Sequence, residues 1–168
     1  EMSVDALKCA CGHSSITDTQ NATWSATPTA ATIAVYTRCM VTITRANEFL
    51  LQSGSSSVEG IEGLRAEARF LRAFAYYMLL DLYGNPPFAT EENIGGELPK
   101  QLDTNFSNGR KLLFEWIESE MKDLLANGEM PEMGEVSYPR VNKGAAQALL
   151  ARMYLNAEVY TGTARYTD

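Results

Sequence analysis

The chain has 168 residues, 45% of them hydrophobic, with a formal net charge of −7 at pH 7 and a sequence pI near 4.8. This is enough apolar content for one domain with a sizeable core, and it includes no run of ~18 apolar residues that would cross a membrane. So acidic a chain is poorly suited to gripping nucleic-acid phosphates or anionic lipid headgroups, which excludes nucleic acid as a main partner and leaves neutral ligands open.

Neither Glu1 nor the closing Arg165-Tyr166-Thr167-Asp168 reads as a natural terminus, and no secretory leader is visible. The chain is therefore expected to be an internal or N-terminal-side fragment of a longer protein. Residues 1–27 are rich in Ser, Thr, Ala and Asn without a sustained period, and read as an irregular loop. Cys9 and Cys11 lie there, one residue apart, with His13 beyond. Structural zinc wants a wider cysteine spacing and a second ligand pair, and His13 is the only histidine, so neither a metal nor a cofactor is expected. Cys39 leaves the cysteine count odd, and disulfides cannot absorb all three.

Thr27-Pro28 is a helix entry, with Pro28 in the first turn. From there to Gln52, the residues Ile33, Tyr36, Met40, Ile43, Asn47 and Leu50 recur at steps of three and four. Asn47 is the polar exception on this stripe, and is expected to be buried and hydrogen-bonded to a neighbouring loop. A Ser/Gly connector follows, and a second helix runs from about Val58 to Tyr83. Its stripe is Leu64, Ala68, Leu71, Ala75, Met78 and Leu82, widened by Phe70, Phe74 and Tyr77. Arg65, Arg69 and Arg72 share another face and are expected to pair with Glu62, Glu67 or a neighbouring helix. Gly84 tolerates positive φ and Pro86-Pro87 forbid continuation. The short connector makes residues 28–83 an antiparallel helix hairpin.

Residues 84–106 form a loop longer than most connections in compact domains, which marks it as functional or mobile. Ser107 is the expected N-cap of a third helix that ends near Asn127-Gly128. Leu113, Ile117, Met121 and Leu124 make its stripe, Trp116 is expected to pack, and Glu115, Glu118, Glu120, Lys122 and Asp123 read as a solvated face rather than paired catalytic carboxylates. Asn142 caps a fourth helix with Ala146, Leu150, Met153, Ala157 and Tyr160 on one side. This second hairpin spans 107–160, and 161–168 reads as the truncated start of a next element. Placing Ala68 on Ala146 matches Leu71 with Leu149, Ala73 with Ala151 and Tyr76 with Tyr154. Two such hairpins suggest an all-α, tetratricopeptide-like stack with long irregular loops; a plain helical bundle is the alternative.

The chain carries no Gly-rich phosphate loop, nucleophile elbow or zinc-protease helix. A hydrolytic triad would have to use His13, which sits in a Ser-rich segment without strand–turn–helix context, so no catalytic residue is expected. A binding module fits better. Aromatic faces stack on the C–H surfaces of sugars while Asn, Asp, Arg or His take the hydroxyls, and Trp24 lies beside Asn21 and near Asp18 and His13. The alternative for Trp24 is to fill a core edge, as large aromatics usually do.

Glu67-Ala68-Arg69-Phe70-Leu71-Arg72-Ala73, the pair Tyr76-Tyr77, and the run Asp81-Leu82-Tyr83-Gly84-Asn85-Pro86-Pro87-Phe88 together resemble the signature helix of the SusD/RagB family, with Asn85-Pro86 where Asp-Val is usual. Tyr36 to Leu51, with Arg45-Ala46-Asn47 in place, resembles the family's Y–I–AN–LL helix, and Val141 to Tyr160 resembles its KGAA–ALLAR–YL helix. The resemblance covers Tyr36 to the C-terminus well and Glu1 to Ala34 loosely. It favours the repeat over the plain bundle. It implies a non-catalytic protein on the outer face of a Gram-negative outer membrane, anchored by a lipid on a cysteine upstream of Glu1. Such a protein captures oligosaccharides, or in some relatives peptides, and delivers them to a SusC-like TonB-dependent transporter. By the same resemblance Trp24 is the leading ligand contact, with Asn21, Asp18 and His13 behind it. A helical-repeat scaffold for a protein partner is the competing reading.

Overall fold

The computed structural model describes residues 12–23, 25, 30–127 and 130–168. The chain divides into two compact units, Glu1–Arg38 and Cys39–Asp168. Among the described residues every regular element is helical, apart from one isolated antiparallel bridge between Phe88 and Lys100. This is the all-α class that the periodicities imply. No helix among them is long and apolar enough to cross a membrane.

The first unit holds a short helix α1 (Ser14–Gln20) inside the stretch read from sequence as irregular. Ser, Thr and Asp are weak helix formers and give no apolar period, so the segment carried no signal. It winds because the His13 carbonyl accepts from the backbone N–H groups of Ile16 and Thr17, both at 3.1 Å. It ends at Asn21, beside Ala22 in the left-handed region (φ 54°).

Helix α2 (Ala30–Gln52) crosses from the first unit into the second. The second unit continues with α3 (Ile61–Tyr83), a 3-10 turn (Glu91–Asn93), α4 (Phe106–Ala126), α5 (Lys143–Leu155) and α6 (Ala157–Thr161). Side-chain pairings fix the directions. Arg65 reaches Leu50 and Arg72 reaches Asn47, so α3 runs antiparallel to α2. Arg69 meets Asp123, Arg72 meets Glu120 and Tyr76 meets Trp116, so α4 runs antiparallel to α3. Glu118 meets Tyr154, Phe114 meets Tyr160 and Arg110 meets Val159, so the α5–α6 arm runs antiparallel to α4. Helix α4 is thus the hub, with α3, α5 and α6 all packed on it.

Two helix boundaries differ from the sequence reading. The cap of α4 is Asn105, not Ser107: its side chain accepts from the Asn108 N–H at 3.0 Å, and Asn caps at least as well as Ser. The fourth helix does not run unbroken to Tyr160. Asn156 interrupts it, donating from Nδ2 to the Arg152 carbonyl at 3.0 Å, and Asn favours such local bonds over helix continuation.

The buried face of α3 is also rotated from the expected stripe. Leu64, Leu71 and Leu82 are exposed, while Ala66, Phe70, Arg72, Ala73, Tyr76, Tyr77 and Leu80 are buried. Aromatic rings remove about 150–250 Å² each from water, more than a leucine does. Burying Phe70, Tyr76 and Tyr77 therefore outweighs burying the leucine stripe. Opposite them Leu113, Phe114, Ile117, Met121 and Leu124 of α4 are fully buried, each such large side chain contributing about 1.5–3 kcal/mol over exposure.

The acidic residues of α4 are not all a solvated face. Glu118 is only 8% exposed. It accepts from Arg165 (2.6 and 2.9 Å), Lys122 (2.5 Å) and Tyr154 (2.9 Å). Burial alone would raise its pKa, but those donors outweigh burial and hold the carboxyl down to about 2. A folded-state value below the ordinary 4.5 stabilises the fold above that pH and loses the contribution as pH falls toward 2. Thermal unfolding measured across the acid range should therefore show a fall in melting temperature through this window that is shallower in Glu118→Gln. Parallel profiles would exclude Glu118 as its source.

Helix α4 meets the end of α3 through Gly109. A Cβ there would sit 2.6 Å from Asn85 Cγ, and the Asn85 amide is held in place by donating to the Asp103 carbonyl at 2.9 Å. In a free helix Gly→Ala gains about 1 kcal/mol. Here Gly109→Ala is expected to destabilise by roughly 1–3 kcal/mol through overpacking, as read by denaturant unfolding; a net gain would show that Asn85 moves freely.

Candidate ligand-binding surface

The long loop after α3 is built outward from a buried cation. Arg72 is 3% exposed. Its Nη1 donates to Asn47 Oδ1 at 2.8 Å and to Glu91, its Nη2 donates to Glu120 Oε2 at 3.2 Å, and its guanidinium lies 5.3 Å from the Trp116 ring centre. Asn47 turns its amide the other way, Nδ2 donating to the Ala89 carbonyl at 3.0 Å. This is the buried, loop-bonded Asn that the sequence calls for. The same loop residue is gripped by Tyr76, whose hydroxyl donates to the Ala89 carbonyl and accepts from the Ala89 N–H, both at 2.8 Å. Burial pushes the Tyr76 phenol up to about 12, so it stays protonated and able to donate. Phe88 then packs at 5.1 Å from Tyr76 and 4.9 Å from Trp116, centre to centre.

Beyond this anchor the loop closes on itself. The Phe88 N–H donates to the Lys100 carbonyl at 2.9 Å, and Lys100 pairs with Glu97 at 2.5 Å. The enclosed space is an open pocket of about 850 Å³ whose lining includes Phe88, Glu92, Asn93, Glu97, Lys100 and Gln101. One aromatic edge with carboxylate, amide and ammonium groups around it can hold a neutral polar ligand by contact and hydrogen bonding. Among the described residues no group of three or more His, Cys, Asp or Glu side chains could hold a metal. Cys9 and Cys11 lie outside the described residues, and Cys39 is a buried free thiol.

Three of the four site residues named from sequence lie on α1, in the first unit. His13 is its exposed N-cap residue, and Asn21 its exposed C-cap residue. Asp18 is half-buried, its Oδ1 accepting from Thr23 Oγ1 at 3.4 Å. At about 1.5 Å of rise per residue, His13 and Asn21 stand roughly 12 Å apart at opposite ends of the helix, so the structure does not bring them together. Trp24 lies outside the described residues.

The model of a SusD-like family described as "Starch-binding associating with outer membrane" matches residues 3–155. The chain belongs to that family. The matched span takes in α1 to α5, and with them the Arg72 cluster and the whole pocket loop. The chain is also similar to the starch-binding protein SusD of Bacteroides thetaiotaomicron, with 38% identity over 133 residues, which is 79% of this chain and 22% of that protein. The SusD-like chain thus spans about a fifth of the length of that curated relative.

Sequence reasoning flagged this loop by its length alone and missed Glu92, Asn93 and Lys100 as pocket-lining groups. They become neighbours only through the Phe88–Lys100 bridge, which no periodic pattern announces. The available signal was the cation itself: an Arg on the same helical face as Tyr76 implies buried acceptors nearby. Arg72→Met should strand the Glu91 carboxylate, leave Glu120 with Arg69 alone, and destabilise the chain by roughly 3 kcal/mol. Amide exchange over residues 84–105 should accelerate more than in α5; uniform protection would show that the loop holds without its cation.

Proposed function

We propose that the protein captures oligosaccharides at the outer surface of a Gram-negative outer membrane and hands them to a SusC-like TonB-dependent transporter, without breaking a bond. The carrying observation is the family match over nearly the whole chain, joined by similarity to a protein whose name states starch binding. A lipid on a cysteine upstream of Glu1 holds the protein at the membrane. Trp24 stacks on a sugar face, and Asn21, Asp18 and His13 supply polar contacts. Their separation along α1 suits successive units of one oligosaccharide better than a single ring. The loop pocket, with amide, carboxylate and ammonium groups beside Phe88, is of the same chemical kind.

The test is a polysaccharide and oligosaccharide array probed with the full-length protein, and repeated with Trp24→Ala. A hit that weakens about tenfold or more in the variant, a loss of about 1.4 kcal/mol, with an unchanged melting temperature supports both the function and the site. Equal binding by the two proteins removes Trp24 from the site. No binding by either overturns carbohydrate capture and turns the search to peptides.

A further inference from the structure

We propose that the segment Met130–Arg140 carries a second saccharide-binding subsite, with Tyr138 as its stacking platform and Glu67, Glu135 and Arg140 as its hydrogen-bonding wall. It rests on the carbohydrate-capture reading above and adds a place on the molecule that the reading does not use.

Tyr138 is 97% exposed, the most exposed large hydrophobic residue among those described. A single exposed aromatic needs no explanation by itself. What makes this one informative is its setting. Tyr138 occupies the crown of a tight turn closed by the Arg140 N–H donating to the Ser137 carbonyl at 3.0 Å. Arg140, two residues on, lines an open pocket of about 430 Å³ together with Glu67, Glu132, Glu135 and Lys143. Val136 and Arg140, on either side of Tyr138, both line that pocket, so the turn that carries the ring borders a mixed lining of charged groups with Met130, Pro131 and Val136, a mixture suited to the C–H faces and hydroxyls of a sugar.

The segment is also held in place. Arg140 Nε donates to both Glu67 carboxylate oxygens, at 2.7 and 2.9 Å, and the Val141 N–H donates to Glu67 at 2.9 Å. The Arg140 guanidinium holds the Glu67 carboxyl below its ordinary range, outweighing the opposing effect of burial, and the Val141 N–H adds to it. Glu67 thus remains an ionised acceptor. The Glu132 N–H donates to Glu135 at 2.7 Å, Lys143 pairs with Glu132 at 2.5 Å, and the Lys143 N–H donates to the Pro131 carbonyl at 2.9 Å. Met130 plugs the base of the segment, fully buried. Such a scaffold presents the ring at low entropic cost on binding, since a Tyr has only two side-chain torsions to fix. The Arg140 side chain is half exposed, and among the described residues its hydrogen bonds to Glu67 use Nε alone, leaving both Nη groups to meet hydroxyls.

The experiment uses the full-length protein on the same array, with calorimetry on its strongest polysaccharide, for wild type, Tyr138→Ala, Tyr138→Phe and Trp24→Ala. Tyr138→Ala is expected to weaken binding roughly five- to tenfold, as loss of one stacking contact does. Tyr138→Phe keeps the face and should bind like wild type. Melting temperatures should be unchanged in both Tyr138 variants, because the ring packs on nothing. If Tyr138→Ala binds like wild type while Trp24→Ala is weakened, the subsite is wrong and carbohydrate capture stands. If wild type binds no polysaccharide on the array, the subsite falls together with that reading.

Discussion

A guanidinium sealed from water must be met by acceptors, and in this protein Arg72 is sealed almost completely. Taking one such charge into the interior costs several kcal/mol unless its donors are matched. Asn47 from α2, Glu120 from α4 and Glu91 from the loop meet its two Nη groups, while Nε lies buried without a partner among the described residues. The three ligands come from three separate chain segments, so satisfying one cation sets where two helices and a loop lie on α3. Arg69, one turn earlier, extends the same logic by pairing with Glu120 at 3.0 Å and Asp123 at 2.6 Å. The acidic balance of the chain is in this sense partly structural: carboxylates that composition alone assigns to the surface are ligands for the buried Arg72 and the partly buried Arg69.

The helical elements and their order were legible because amphipathic periods of three and four survive in short sequence windows. Caps were legible where an Asn precedes an apolar run, as at Asn142, and misplaced where two candidate caps stand close together, as at Asn105 and Ser107. The Leu64–Leu82 stripe misled for a physical reason. Periodicity finds every apolar face on a helix, but which face sinks depends on ring area and on where polar tips can be satisfied, and both are tertiary facts. Glu118 was hidden in the same way. Its neighbour Arg165 is 47 positions away in sequence, and nothing local distinguishes a carboxylate that will meet a distant guanidinium from one that faces water.

The candidate binding surfaces were less legible than the fold. The wording of α3 and of the segment around Asn142 pointed to the family, and the family to carbohydrate. The pocket at residues 88–102 and the platform at Tyr138 depend on loops folding back on themselves, through a single bridge in one case and through Glu67 of α3 in the other. Both loops are rigid at their roots for the same reason: a charged residue of α3, Arg72 or Glu67, reaches out of the helix and takes hold of them. The helix that gives the family its most recognisable wording is therefore also the mast to which both loops are rigged.

Tyr76 shows what this asks of one atom. In an antiparallel ladder a residue exchanges its N–H and its C=O with a partner on the next strand. Ala89 makes the same two-way exchange, but with the phenol oxygen of Tyr76. One hydroxyl replaces a whole neighbouring strand, and so an extended segment can lie against a purely helical wall without leaving its backbone groups unmet. A phenylalanine would preserve the ring and its packing and still leave the Ala89 N–H unmet, with Asn47 alone on the Ala89 carbonyl. At the most deeply buried aromatic position of this helix, a single oxygen thus takes a role that the hydrocarbon around it cannot.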